Sequence, residues 1–132
     1  MLHKEITEVM INSFYTVYNT LGYGFLEKVY ENALIHELKK RGLRVQQQMP
    51  IHVYYDGEPV GEYFADLLVE DKVILELKAA EDIAAQHKAQ LLNYLKATEI
   101  EVGLLLNFGS EPKFARKIFT NDHKAHRGTG HG

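Results

Sequence analysis

Two carboxylates and a lysine stand close together in an otherwise apolar stretch, Tyr63 to Ala80, which reads YFADLLVEDKVILELKAA. The pattern is that of two β-strands joined by a polar turn at Glu70-Asp71-Lys72. Side chains alternate along a strand, so Phe64, Asp66 and Leu68 share one face and Ile74, Glu76 and Lys78 share another. Folding the hairpin about Asp71 sets position 66 opposite 76 and position 64 opposite 78. Asp66 and Glu76 then have Cβ atoms about 5 Å apart, where like charges destabilise a strand pair. An unpaired buried carboxylate is also expensive. Either Lys78 or a divalent cation must neutralise the pair. A solvated face on a one-sided sheet is the competing reading. Against it, Ala65, Leu67, Val69, Val73, Leu75 and Leu77 make the reverse face apolar, and Phe64, Leu68 and Ile74 surround the charges. A site is therefore preferred to a solvated face.

Three further groups carry chemistry. Glu27 borders an apolar stripe that contains Tyr30 and Leu34, and follows a Gly-Tyr-Gly break. By itself it reads as a first-turn glutamate favoured by the helix dipole, at a helix mouth from which it could face the carboxylates. His87, Gln90 and Tyr94 form a polar face at i, i+3 and i+7 of a later helix. Basic residues cluster at Lys39-Lys40-Arg41-Arg44 and at Lys113-Arg116-Lys117. Each cluster reads first as a solvated helix end, although a local patch can serve a phosphate backbone. The histidines of the closing HKAHRGTGHG resemble a metal site only weakly.

The elements that position these residues follow from periodicity. Residues 5–20 have helical spacing, broken at Leu21-Gly22-Tyr23-Gly24. A second helix is expected from Phe25 to Lys40, ending at Gly42. Arg44 to Tyr55 reads as a strand in which Pro50 marks an edge, a bulge or a break. A turn at Asp56-Gly57-Glu58-Pro59 leads into the hairpin. Glu81 to Ala97 reads as a third helix with Asp82 as N-cap. Glu101 to Phe108 is an apolar run of strand length, and Ser110 to Phe119 reads as a short amphipathic helix. The expected fold is α/β (α+β): a central mixed sheet with helices on both faces, in the order α-α-β-β-β-α-β-α.

A chain of 132 residues suggests one domain, assigned to 1–120, with a flexible tail at 121–132. The absence of cysteine excludes disulfides, cysteine nucleophiles and thiolate metal sites. No apolar run approaches the ~20 residues of a membrane span, and no signal-peptide pattern opens the chain. The expectation is a cytoplasmic protein. A formal net charge of −3 argues mildly against wholesale nucleic-acid binding.

A helix carrying a glutamate, an Asp–x9–Glu–x–Lys hairpin, then a helix and a strand together resemble the core of the PD-(D/E)XK nuclease superfamily. Asp66 matches its aspartate and Glu76-Leu77-Lys78 its ExK; Ala65 stands where the usual proline would be. Gln90-x3-Tyr94 looks like the Gln-x3-Tyr element of RecB-type members. Gly24-x2-Glu27-x2-Tyr30 resembles the signature of the small GxxExxY protein family, a branch of that superfamily, and the likeness runs through HKAQLLNYLKA and VGLLLNFG. The resemblance implies a restriction-endonuclease-like core and hydrolysis of phosphodiester bonds in DNA or RNA, DNA ahead of RNA. It implies Mg²⁺ or Mn²⁺ held by Asp66, Glu76, the backbone carbonyl of Leu77 and Glu27, directly or through water. Lys78 would orient or deprotonate the attacking water, or stabilise transition-state charge. Gln90 and Tyr94 would position water or phosphate. A homo-oligomer or a larger nuclease assembly is compatible with so small a chain. Two rival readings stay open: a non-catalytic module of the same fold that binds nucleic acid or protein, and a structural subunit.

Overall fold

Two tight turns lay out the sheet. Asp56 and Gly57 take φ 56° and 81°, and Glu70 and Asp71 take φ 54° and 55°. Consecutive positive φ values give a turn whose twist suits the flanking strands. At the second turn the Lys72 N–H donates to the Val69 carbonyl at 3.0 Å. The computed structural model describes residues 1–124. Its elements are α1 (Lys4–Leu21), α2 (Glu27–Lys40), β1 (Val45–Tyr55), β2 (Glu58–Val69), β3 (Val73–Lys78), α3 (Ala85–Lys96), β4 (Val102–Phe108) and β5 (Pro112–Ile118), followed by a 3₁₀ turn at Asn121–His123.

The five strands form one sheet in the order β1-β2-β3-β4-β5. Only β3 and β4 run parallel, with α3 as their crossover; the other neighbours are antiparallel. The mixed sheet is covered on both faces, as the apolar pattern predicts. On one side Met10, Phe14 and Val17 of α1 and Tyr30, Leu34 and Leu38 of α2 pack with Leu67, Leu75, Leu77, Leu104 and Leu106. On the other, Leu91, Tyr94 and Leu95 of α3 pack with Leu68, Ile74 and Leu105. Every residue of β4 is consequently buried, which is why that run lacks alternation. No helix among the described residues is long and apolar enough to cross a membrane.

The structure corrects several boundaries. Residues 112–118 are a strand rather than the last helix, so the order ends β-β. The bare edge of a buried β4 needs backbone partners, and β5 supplies them from Val102↔Ile118 to Phe108↔Pro112. Pro112 opens the strand, a position where its missing N–H is tolerated. The third helix begins at Ala85, not Glu81. Asp82 is no N-cap: its carboxylate accepts from the Ile83 N–H at 2.8 Å and pairs with Lys113 at 3.2 Å. The Ala84 N–H instead donates to His87 Nδ1 at 3.3 Å. The second helix starts at Glu27: Leu26 before it is extended, at φ −72° and ψ 156°, and the Phe25 N–H donates to the Tyr30 hydroxyl at 3.2 Å. Of the expected loose tail, 121–124 is anchored: the Lys124 ammonium donates to the carbonyls of Thr98 and Ile100, each at 2.8 Å. Residues 125–132, with His126 and His131, lie outside the described residues.

One close approach fixes α3 on the sheet. A Cβ at Gly103 of β4 would lie 2.7 Å from Leu91 Cδ1 of α3. Gly103→Ala is expected to lower stability by ~1–3 kcal/mol through overpacking, read as a lower urea midpoint. Adding Leu91→Ala should give a double variant less destabilised than the sum of the two singles. Strict additivity would show that helix and strand are not in tight contact there.

Candidate active site

The β2–β3 ladder pairs Leu67 with Leu75, Leu68 with Ile74 and Val69 with Val73. Continuing that register sets Asp66 opposite Glu76, as the folded hairpin predicts. At this step the backbone ladder gives way to side chains. The Asp66 N–H donates to Glu76 Oε2 at 2.6 Å, and the Leu77 N–H donates to Asp66 Oδ2 at 2.8 Å. Each carboxylate is thus held by the backbone of the opposing strand. Beyond it β2 pairs only with β1, where Phe64 meets Pro50, so Phe64 does not pair with Lys78 and is half exposed.

The electrostatics are those of a crowded acidic centre. Glu76 is 5% exposed; burial first and the Asp66 charge second push its pKa up to about 8, against the Asp66 N–H and Lys78. Asp66 is also raised, chiefly by burial, with Glu31 and Glu27 adding to the effect and the Leu77 N–H and Lys78 opposing it. Lys78, half-buried at the end of β3, therefore acts on both carboxylates without offsetting them.

Glu27 is the exposed first residue of α2, close enough for its charge to act on both carboxylates. Its place is set by Tyr30, whose hydroxyl donates to the Gly22 carbonyl at 2.7 Å and accepts from Phe25. The Tyr30 ring stacks on Phe108 at 4.3 Å and 14°. Gly22 and Gly24 take positive φ values of 70° and 110° in the intervening turn, which glycine tolerates. The spacing Gly24-x2-Glu27-x2-Tyr30 is thereby a turn, a carboxylate at a helix mouth and the strut that holds both.

From α3, Tyr94 comes to the pair. Burial, then the charges of Glu76 and Asp66, push its phenol up to about 12, so it remains a hydrogen-bond donor at neutral pH. Gln90 lines a cavity together with Tyr94. His87 leaves this face to cap the helix. The arginines of the basic clusters are engaged within the protein: Arg41 with Glu37 at 2.8 Å, Arg44 with Glu70 at 3.4 Å, and Arg116 with the Leu2 carbonyl at 2.6 Å.

Sequence reading missed three contributors. Glu31, one helical turn after Glu27, is buried; it accepts from Gln47 Nε2 at 3.4 Å and pairs with Lys28 at 3.4 Å. Its i+4 relation to Glu27 was the available signal. Asn107 is fully buried, accepting from the Ala80 N–H and donating to the Ala80 carbonyl, both at 3.0 Å. Its signal was one amide in the apolar run VGLLLNF. Gln48, at φ 53°, drops out of the ladder opposite Asp66, between Gln47↔Leu67 and Met49↔Ala65. A left-handed non-glycine residue costs on the order of 1 kcal/mol, and no sequence feature marks it.

Among the described residues no three His, Asp or Glu side chains form one metal-holding group. Asp66 and Glu76 are a pair, and Glu27 is not closed upon them. The donor chemistry nevertheless fits a hard divalent cation: two apposed carboxylates whose negative charge is disfavoured by burial.

The profile of the PD-(D/E)XK nuclease superfamily matches residues 4–118. Curated proteins give no match. Among solved structures, the crystal structure of SSO0001 superposes with a TM-score of 0.58 at 18% identity, covering 90% of this chain and 61% of that one. Likeness at that identity is one of fold, and this chain spans less than two-thirds of that protein's length.

The raised carboxylate has a thermodynamic consequence. The folded-state pKa of Glu76, about 8, lies above its ordinary 4.5. On raising the pH the unfolded chain loses this proton first, so stability is complete below about pH 4.5 and falls until about pH 8. In chelator, the parent should lose on the order of 1–3 kcal/mol between pH 5 and pH 8. Glu76→Gln should remove most of that slope and be the more stable protein at pH 8. Thermal melts across this range check it; a flat parent profile would contradict the buried pair.

Proposed function

The chain belongs to the PD-(D/E)XK nuclease superfamily, and on that premise we propose that it is a divalent-metal-dependent nuclease cutting phosphodiester bonds at Asp66 and Glu76. The observation that carries the reading is the exchange of backbone N–H groups between these two carboxylates where the ladder parts. A structural hairpin has no use for apposed acids, Glu76 buried and Asp66 half-buried, which destabilise it. The strut made by Tyr30 supports placing the chain in the GxxExxY branch, since it gives each residue of that spacing a task. A chain without cysteine suits a reducing, cytoplasmic setting.

Asp66, Glu76 and the Leu77 carbonyl would hold Mg²⁺ or Mn²⁺, with Glu27 as a further ligand, direct or through water. The bound cation supplies charge neutralisation at the phosphate and a more acidic water. The protein's own groups do the rest. Lys78 orients or deprotonates the attacking water, or stabilises charge developing on phosphorus. The Tyr94 hydroxyl, protonated at neutral pH, donates to a phosphate oxygen or to water, and Gln90 assists. The exclusion of water around Glu76 strengthens each of these interactions.

The unclosed position of Glu27 favours one rival, a non-catalytic module that binds nucleic acid or protein on the same fold. Metal separates the two. With Mg²⁺ or Mn²⁺ the melting temperature should rise by mass action. Asp66→Asn should abolish the rise and, with it, cleavage of single- and double-stranded DNA and RNA. A wild type that shows neither metal-dependent stabilisation nor cleavage belongs to the binding class.

Lys78 should matter to turnover rather than affinity. Lys78→Ala is expected to slow cleavage by at least ~10²-fold, the typical loss of one transition-state donor, with nucleic-acid affinity little changed. Lys78→Arg should not restore the rate, because arginine cannot serve as a base. Single-turnover rates beside equilibrium binding decide this; equal losses in both would make Lys78 an ordinary phosphate contact.

A further inference from the structure

Tyr94 has two neighbours of different kinds. Its phenol feels the charges of Glu76 and Asp66. It also lines a cavity of about 770 Å³ between α3, the β1–β2 arm and residues 119–124. The ring of Tyr63, on β2 three residues before Asp66, stands 5.9 Å from the Tyr94 ring at 44°. Tyr63 is 49% exposed, so its ring serves no core. Gln90 and Asn93, at i and i+3 of α3, bring two amides to the same wall. The Lys96 ammonium lies 5.6 Å from the Phe119 ring at the far side. On the β1 side, His52 faces in and pairs with Glu62 at 3.3 Å.

An exposed aromatic face, amides with both donors and acceptors, and a nearby cation are the parts that hold an unstacked base. The volume lies in the range of pockets for small ligands. A base inside a duplex is stacked on its neighbours and presents no free face to such a wall. We propose that this cavity receives an unpaired nucleobase, stacked on Tyr63, from the strand whose phosphate lies at Asp66 and Glu76. The substrate is accordingly a single-stranded segment, in an overhang, a flap or a wholly unpaired strand. This specifies the substrate of the nuclease reading and rests on it.

Binding tests it without cleavage. The full chain is titrated at low salt with Ca²⁺ in place of Mg²⁺ and Mn²⁺, the probes being checked as intact afterwards, with fluorescein-labelled probes of equal length: a single strand, the same strand with abasic sites, and a blunt duplex. Matched DNA and RNA series are used. The single strand should bind about tenfold more tightly than the abasic strand or the duplex, the usual worth of one stacked base. Tyr63→Ala should erase that preference and Tyr63→Phe should keep it. The preference in either series supports the proposal and names the sugar accepted. Equal binding of all probes, no binding of the single strand, or a preference untouched by Tyr63→Ala overturns it. The two readings fail separately. A Tyr63-dependent preference in a protein inert with Mg²⁺ and Mn²⁺ removes the nuclease and leaves the cavity. Cleavage by a protein without that preference removes the cavity and leaves the nuclease.

Discussion

Two acids that repel each other are built into the middle of a covered sheet, and the surrounding structure exists to keep them there. The charge of Lys78 acts on both Asp66 and Glu76 without offsetting the effect of burial. Each has one backbone N–H from the opposing strand, and these two bonds are worth less than full solvation of two charges. The remaining deficit is met by the apolar contacts around the hairpin, on both faces of the sheet. A one-sided sheet would let the carboxylates rotate into water. Helices on both sides close that exit to Glu76, which is buried, while Asp66 stays half-buried beside it.

The same logic explains the supports at the rim. Asn107 ties the Ala80 backbone, just past Lys78, to β4, and the Tyr18 hydroxyl donates to the Gly109 carbonyl at 2.7 Å. Tyr30 fastens the turn that precedes Glu27. Charged groups of the centre thus sit on strand ends and a helix mouth, while neutral polar groups in the second layer fix the backbone that carries them. Position is set by groups whose own desolvation is already compensated.

Much of this was legible because the hairpin is local. Nine residues separate Asp66 from Glu76, and period-two alternation with one polar turn determines which side chains meet. Helical spacing exposed α1, α2 and the face of α3 that carries Gln90 and Tyr94. What stayed hidden depends on pairing across long separations. The segment 112–118 has too few apolar residues to show its period, and it becomes a strand because it pairs the edge of β4 that β3 leaves open. The burial of Glu31 depends on β1, whose Gln47 donates to it. Gln48 is left-handed where it drops out of the ladder opposite Asp66, a pairing across strands. The start of α3 was misplaced because the side chains of Asp82 and His87 divide the duties that one N-cap would normally perform.

The stack of Tyr30 on Phe108 sets an order of events. The ladder contacts of the hairpin that carries Asp66, Glu76 and Lys78 are short in sequence, running from Leu67↔Leu75 to Val69↔Val73. The turn before Glu27 is held by a ring that rests on the last residue of β4, about eighty positions away in the chain, so its ordering must wait for loop closure on that scale. During synthesis the acids of the hairpin emerge well before Phe108 does. A growing chain therefore carries half of its centre long before Glu27 is fixed, and the complete centre appears only when the sheet has closed around it.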